Sequence, residues 1–135
     1  MSYISPTQVN ALAPPDSVLG TVSLAVTNAN GMSSAFEVQI QRYSPGFFVF
    51  DRQGERYAAA TLAGGAYLGP PGLLGSGLET RPAKPAEVIT LYGTGFGPTN
   101  PSLHAAQVFS GAAALTDNVI ITIGDVPAAV RFAGI

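Results

Sequence analysis

The strongest constraint on this chain is alternation. Apolar and polar residues take turns with period two in segment after segment, and the 3.6-residue period of an amphipathic helix is nearly absent. Val22, Leu24 and Val26 alternate with Ser23, Ala25 and Thr27. Phe36, Val38 and Ile40 alternate with Glu37 and Gln39, and Val119, Ile121 and Ile123 alternate around Ile120 and Thr122. Side chains of a strand point to opposite faces in turn, so each run reads as a strand with one face on a core. A one-residue slip exposes the whole apolar set. The pattern therefore predicts one shared core of Val22, Leu24, Val26, Phe36, Val38, Ile40, Leu91, Ile121, Ile123 and Phe132.

Glycine and proline punctuate these runs, 16 and 11 of them respectively, mostly as turns. Asn28-Ala29-Asn30-Gly31 reads as a hairpin turn between the first two runs. Weaker strands are expected over residues 7–13, 88–92 and 128–132, the last entered from the turn Gly124-Asp125-Val126-Pro127. The middle is less regular. The aromatic run Phe47-Phe48-Val49-Phe50 precedes the turn Asp51-Arg52-Gln53-Gly54. Residues 56–62 and 66–68 fit a hairpin across Gly64-Gly65, and the Ala-rich stretch 57–63 fits one helical turn as the alternative. Residues 69–85 carry no core pattern and read as a surface loop; residues 97–117 read as a long loop with at most a short strand near Val108-Phe109. About eight or nine strands at this spacing imply an all-β sandwich.

Composition narrows the chemistry. The chain has 135 residues, enough for one domain with a real core, and only 10% are charged against the usual ~25%. A net charge of −2 offers no basic patch for phosphates, so neither nucleic acid nor an anionic membrane is an expected partner. With no cysteine, disulfides, thiolate catalysis and cysteine-held metals are excluded. The opening Met1-Ser2-Tyr3-Ile4-Ser5-Pro6 shows no export signal, and no apolar run is long enough to span a bilayer, so a soluble polypeptide without membrane insertion is expected.

Each chemical motif has a plainer structural reading. Gly93-Thr94-Gly95-Phe96-Gly97 resembles a phosphate-binding glycine loop, which works by presenting the N–H groups of a helix that follows. Here Pro98-Thr99-Asn100-Pro101 follows, so a glycine-rich strand end with Phe96 in the core is expected instead. Gly75-Ser76-Gly77 lacks the strand and helix of a nucleophile elbow, and position 74 is Leu. His104, the single histidine, has only Leu103, Ala105 and Ala106 beside it and reads as a solvated loop residue. The eight carboxylates form no calcium-binding ladder; a calcium ion shared between loops, for example around Asp117 and Asp125, is the minor alternative. No catalytic, cofactor-binding or metal-ligating residue is assigned. The one binding set worth naming is aromatic: Phe47, Phe48, Tyr57 and Tyr67, which as an exposed platform would stack on sugar rings and otherwise pack between sheets.

Several strings together resemble a known family. These are Tyr3-Ile4-Ser5-Pro6-Thr7-Gln8-Val9-Asn10-Ala11, residues 22–27, Ser33-Ser34-Ala35-Phe36, Ser44-Pro45-Gly46-Phe47-Phe48, residues 88–99 and Ile121-Thr122-Ile123-Gly124-Asp125-Val126-Pro127-Ala128. Their order and spacing resemble an uncharacterised repeated domain near the C-termini of large secreted proteins, especially in acidobacteria. More distantly they are similar to the IPT/TIG immunoglobulin-like fold. The resemblance implies a β-sandwich and an extracellular or cell-surface setting, and carries no catalytic residues.

In that family a sandwich begins with strands like 88–97 and 119–132, and ends with strands like 7–13, 22–27 and 36–40. This chain holds the finishing half first. The resemblance thus implies one sandwich over 1–135, assembled from half 1–44 and half 86–135, with 45–85 connecting them. Closure in cis gives a permuted monomer, and exchange in trans gives a swapped homodimer. The function expected is a non-catalytic structural or adhesive module, with carbohydrate binding as the alternative and a polysaccharide or another surface protein as partner.

Overall fold

A computed structural model describes residues 3–11, 13, 18–103 and 109–135. Among the described residues every regular element is a strand, most are short, and they pair into small sheets. The chain divides into two compact units, one of Met1–Tyr43 with Gly97–Ile135 and one of Ser44–Phe96.

The first unit is built from hairpins. Gly20–Leu24 pairs antiparallel with Phe36–Ile40, in a register that sets Val22 opposite Val38 and Leu24 opposite Phe36. Opposite residues share a face, so the apolar members of both runs lie together, and the other face carries the Thr21 hydroxyl donating to Gln39 at 2.9 Å. Thr27–Asn28 and Gly31–Met32 close the hairpin across Ala29-Asn30, where Asn28 Oδ1 accepts the Asn30 N–H at 2.8 Å. Tyr3–Ile4 pairs with Val9–Asn10, so among the described residues of the expected 7–13 strand two are extended in a ladder.

At the other end of the sequence, Thr99–Asn100 pairs with Ala114–Leu115 and Ile121–Ile123 with Val126–Ala128. The last hairpin begins earlier than expected. Gly124 and Asp125 both have positive φ, 55° and 64°, as a two-residue turn of the favoured hand requires, so the return strand starts at Val126 rather than at 128. Pro127 is tolerated there because the ribbon has two strands and the missing N–H faces outward. The short strand expected near 108–109 is not present at Phe109, and Val108 and His104 lie outside the described residues. Tyr43 joins the two sequence-distant parts of this unit, its hydroxyl donating to Asp117 Oδ2 at 2.8 Å.

The expected shared core does not form. Leu24 is 50% exposed, Phe36 69%, Ile123 58% and Phe132 58%, and Val26 is exposed as well. Val22, Val38, Ile40 and Ile121 are half-buried, and Leu91 belongs to the other unit. The alternation is intact, but among the described residues of this unit no second layer fully covers the apolar faces of the 20–40 and 121–128 hairpins. Ala113, held by mutual N–H to carbonyl bonds with Ile135 at 2.8 and 2.9 Å, is its one buried apolar residue among those described.

The packed core sits in Ser44–Phe96, the stretch expected to be mostly connector. Ala59, Ala60, Leu62, Ala66, Leu73 and Thr80 are buried there. Its four-stranded sheet runs Thr80–Arg81, Tyr67–Leu68, Ala60–Leu62, Ile89–Leu91. The hairpin across Gly64-Gly65, not the helical turn, is the structure over 57–68, with φ of 89° and 90° at the two glycines. Residues 69–85 are not a plain surface loop. Thr80–Arg81 adds to the sheet parallel to Tyr67–Leu68, and Leu73 is buried with its N–H donated to Thr80 Oγ1 at 3.3 Å. Glycines and prolines hid this strand, since a two-residue strand and the Leu73-Leu74 pair leave no periodic signal. A second hairpin, Val49–Arg52 with Glu55–Ala58, turns at Gln53 and Gly54, φ 55° and 82°.

Candidate binding face

The strand that ends in the glycine-rich motif carries the site. Residues 89–91 pair with 60–62, Thr90 opposite Thr61, and residues 93–94 then pair with Gly46–Phe47. The handover occurs at Tyr92. Its N–H donates to the Ala59 carbonyl at 3.0 Å, its carbonyl accepts the Phe48 N–H at 2.9 Å, and the Phe48 carbonyl accepts the Ala59 N–H at 2.7 Å. Three chain segments thus meet at Phe48, Ala59 and Tyr92 with their backbone groups tied to one another.

Glycines make that junction possible. A Cβ at Gly93 would stand 2.6 Å from the Gly46 carbonyl oxygen and 2.8 Å from the Phe96 ring. Gly95 has φ of 77° and lies against the Ser44 carbonyl, where a Cβ would collide. The motif is therefore a close backbone approach. No helix follows it in the described residues, and Phe96 turns back to pack on Phe47 with ring centroids 5.6 Å apart.

Alternation sorts the side chains of this strand to two faces. Ile89 and Leu91 lie with Ala60 and Leu62, the buried side. Thr90 lies with Thr61, and the Tyr92 hydroxyl reaches Thr61 Oγ1 at 3.1 Å across the same face. Continuing the alternation places Thr94 there too. Tyr92 is 46% exposed and Phe48 is 55% exposed. Alternation from Phe50 puts Phe48 on the side where Phe50 meets Tyr67 edge to face at 6.3 Å, and Tyr67 is in register with Thr61.

The four aromatics singled out in the sequence thus divide. Phe48 is an open ring on this face. Tyr67 is half-buried against Phe50, and Tyr57 is half-buried with its hydroxyl donated to Glu55 at 2.5 Å. That carboxylate holds the Tyr57 phenol above its ordinary pKa, through the hydrogen bond first and then partial burial. Phe47 faces the opposite way, onto Phe96. Tyr92 was missed, and its signal was present. In Thr90-Leu91-Tyr92 the core residue Leu91 sends both neighbours to the far face.

Other candidates gather less. Among the described residues no three His, Cys, Asp or Glu side chains come together to hold a metal. Gly75-Ser76-Gly77 lies in turns with no helix after it. An open groove of about 280 Å³ lies in the first unit beside Asp117, Asn118, Arg131 and Phe132. The Asp117 carboxyl there is held below its ordinary pKa by hydrogen bonds from Tyr43 and Thr116, and then by the charge of Arg42. Comparison with known proteins finds no matching family model, no matching curated protein and no matching solved structure.

Proposed function

We propose that this chain is a non-catalytic structural or adhesive module with an immunoglobulin-like, IPT/TIG-type sandwich, working at the cell surface or outside a bacterial cell. The observation that carries the reading is the pair of apolar hairpin faces left largely open, with Leu24 and Phe36 exposed beside half-buried Val22 and Val38 on one, and Ile123 and Val126 exposed beside half-buried Ile121 on the other. Contiguous exposed apolar surface marks an interface, and two amphipathic ribbons of one chain are suited to cover each other as the two layers of a sandwich. The halves 1–44 and 86–135 supply one ribbon each. Covering occurs within one chain or by exchange between two copies, since linker length adds little closure entropy.

Light scattering after size exclusion, combined with hydrogen exchange, tests this. The expected result is a monomer, or a dimer of twice the 13.8 kDa chain, in which amides of both 20–40 and 121–128 are protected and an apolar dye binds weakly. A monomer with strong dye binding and rapid exchange over both hairpins overturns it.

A second reading, carbohydrate binding, is favoured by one observation. The Ser44–Phe96 unit presents Phe48 and Tyr92 to solvent on a face that also carries hydroxyls.

A further inference from the structure

We propose that the Phe48–Tyr92 face of the Ser44–Phe96 unit binds a neutral saccharide, with a pyranose ring stacked on Phe48 and Tyr92 and its hydroxyls met by the Tyr92 and Thr61 side chains. The proposal rests on the carbohydrate-binding reading and names its site and ligand class.

Three features of the face select this ligand. The first is rigidity. Phe48 and Tyr92 are bonded backbone to backbone at 2.9 Å and both are tied to Ala59, so the two rings stand on a fixed base and little ordering is needed on binding. The second is the mixture of chemistry. One face of a pyranose presents C–H groups that suit the negative face of an aromatic ring, and its edge carries hydroxyls that must be hydrogen-bonded once water leaves. Here rings and hydroxyls alternate on one surface: Thr90, Tyr92 and Thr94 along one strand, and Thr61 beside them, 3.1 Å from the Tyr92 hydroxyl. In that pair one hydroxyl donates and the other accepts, which leaves a proton and lone pairs for the ligand.

The third feature is charge. The nearest neighbours of the two rings in the registers, Ala59, Thr61, Thr90, Gly46, Gly93 and Thr94, carry no charge, and the charged pair on this side, Arg52 and Glu55, lies farther along the hairpin beyond Phe50. An acidic sugar or a phosphorylated ligand would find no counter-charge beside the rings, and Arg52, the cation farther along, is engaged by the Gly72 carbonyl. A neutral one loses nothing by its absence.

The test is affinity electrophoresis of the full chain in gels containing xyloglucan, laminarin, galactomannan or, as the acidic comparison, polygalacturonate. Retardation is expected in at least one neutral gel, and Phe48→Ala and Tyr92→Ala should each weaken it about tenfold or more. Tyr92→Phe keeps the ring and removes the hydroxyl, so it should weaken binding by less while leaving the fold unchanged by circular dichroism. Ile120→Ala, at an 80% exposed position of the other unit outside both apolar faces, should leave retardation unchanged.

Retardation that survives Phe48→Ala and Tyr92→Ala overturns the site but leaves the carbohydrate reading standing. Retardation by polygalacturonate alone overturns the ligand class. The absence of retardation in every gel overturns both the proposal and the reading beneath it.

Discussion

The Arg81 guanidinium grips both oxygens of the Glu87 carboxylate, Nη1 to Oε2 at 2.9 Å and Nη2 to Oε1 at 2.5 Å. The Lys84 N–H donates to the same Oε2 at 2.9 Å, so the pair closes the Pro82-Ala83-Lys84-Pro85-Ala86 turn and anchors the edge strand Thr80–Arg81. Two-point geometry of this kind is the strong form of an ion pair, and it lowers the Glu87 pKa to about 2, through the Arg81 hydrogen bonds first and the Lys84 N–H second.

A pH dependence follows. Glu87 titrates lower in the folded chain than in the unfolded one, so its contribution is complete above its ordinary value of 4.5 and is lost as pH falls toward about 2. Urea unfolding at stepped pH should show wild type more stable than Glu87→Gln above that window. The gap should narrow between pH 4.5 and 2. A gap that stays constant across it means the carboxylate is not held by Arg81 in solution.

Leu62 is only 4% exposed, on the buried side of the four-stranded sheet. Leu62→Ala should cost about 2–5 kcal/mol in chemical denaturation. Thr80→Val should cost less, about 1 kcal/mol or under, because the buried Leu73 N–H loses Thr80 Oγ1 at 3.3 Å but keeps the Pro70 carbonyl at 3.1 Å. A loss under about 0.5 kcal/mol at Leu62, the range of ordinary surface changes, contradicts a core between residues 59 and 80.

Glycines with similar φ separate strain from collision. Gly64 has φ of 89° and open space where a Cβ would stand, so Gly64→Ala should cost about 1–2 kcal/mol from backbone conformation alone. Gly95 has φ of 77° and the Ser44 carbonyl in the way. Gly95→Ala should therefore be clearly the worse of the two by thermal unfolding, and equal losses would mean that the close approach at Ser44 is absent.

Phe36 tests whether the uncovered hairpin finds its second layer. A side chain 69% exposed costs little to truncate, while one buried in a completed sandwich costs about 3–5 kcal/mol. The proposed module predicts the larger loss for Phe36→Ala, accompanied by dissociation if completion is between copies.

Much of the local structure was legible. The alternation at 20–24 and 36–40 determined both strands, and the apolar pairs Val22–Val38 and Leu24–Phe36 are those a hairpin turned near residues 28–31 must form. The turns at Gln53-Gly54 and Gly124-Asp125 are tighter than the four-residue spans expected, because two positive-φ residues suffice to reverse a twisted ribbon. At the candidate face, Phe48 was legible as an aromatic in an irregular stretch. Tyr92 ends an expected core strand, and its outward direction follows only from Leu91 lying on the core side.

Sequence by itself determined that the chain is built of strands, where its hairpins turn, and which residues share each apolar face. These are consequences of a period-two backbone and of φ at the turns, both set within a few residues. Only the tertiary structure decided which of those faces is covered. It buried Leu62, Leu73 and Thr80 in the segment with the weakest periodic signal, left Leu24 and Phe36 open in the segment with the strongest, and brought Tyr92 to Thr61 and Phe48. Periodicity records the direction a side chain points, and burial depends on what lies opposite, which is a contact between residues far apart in the chain.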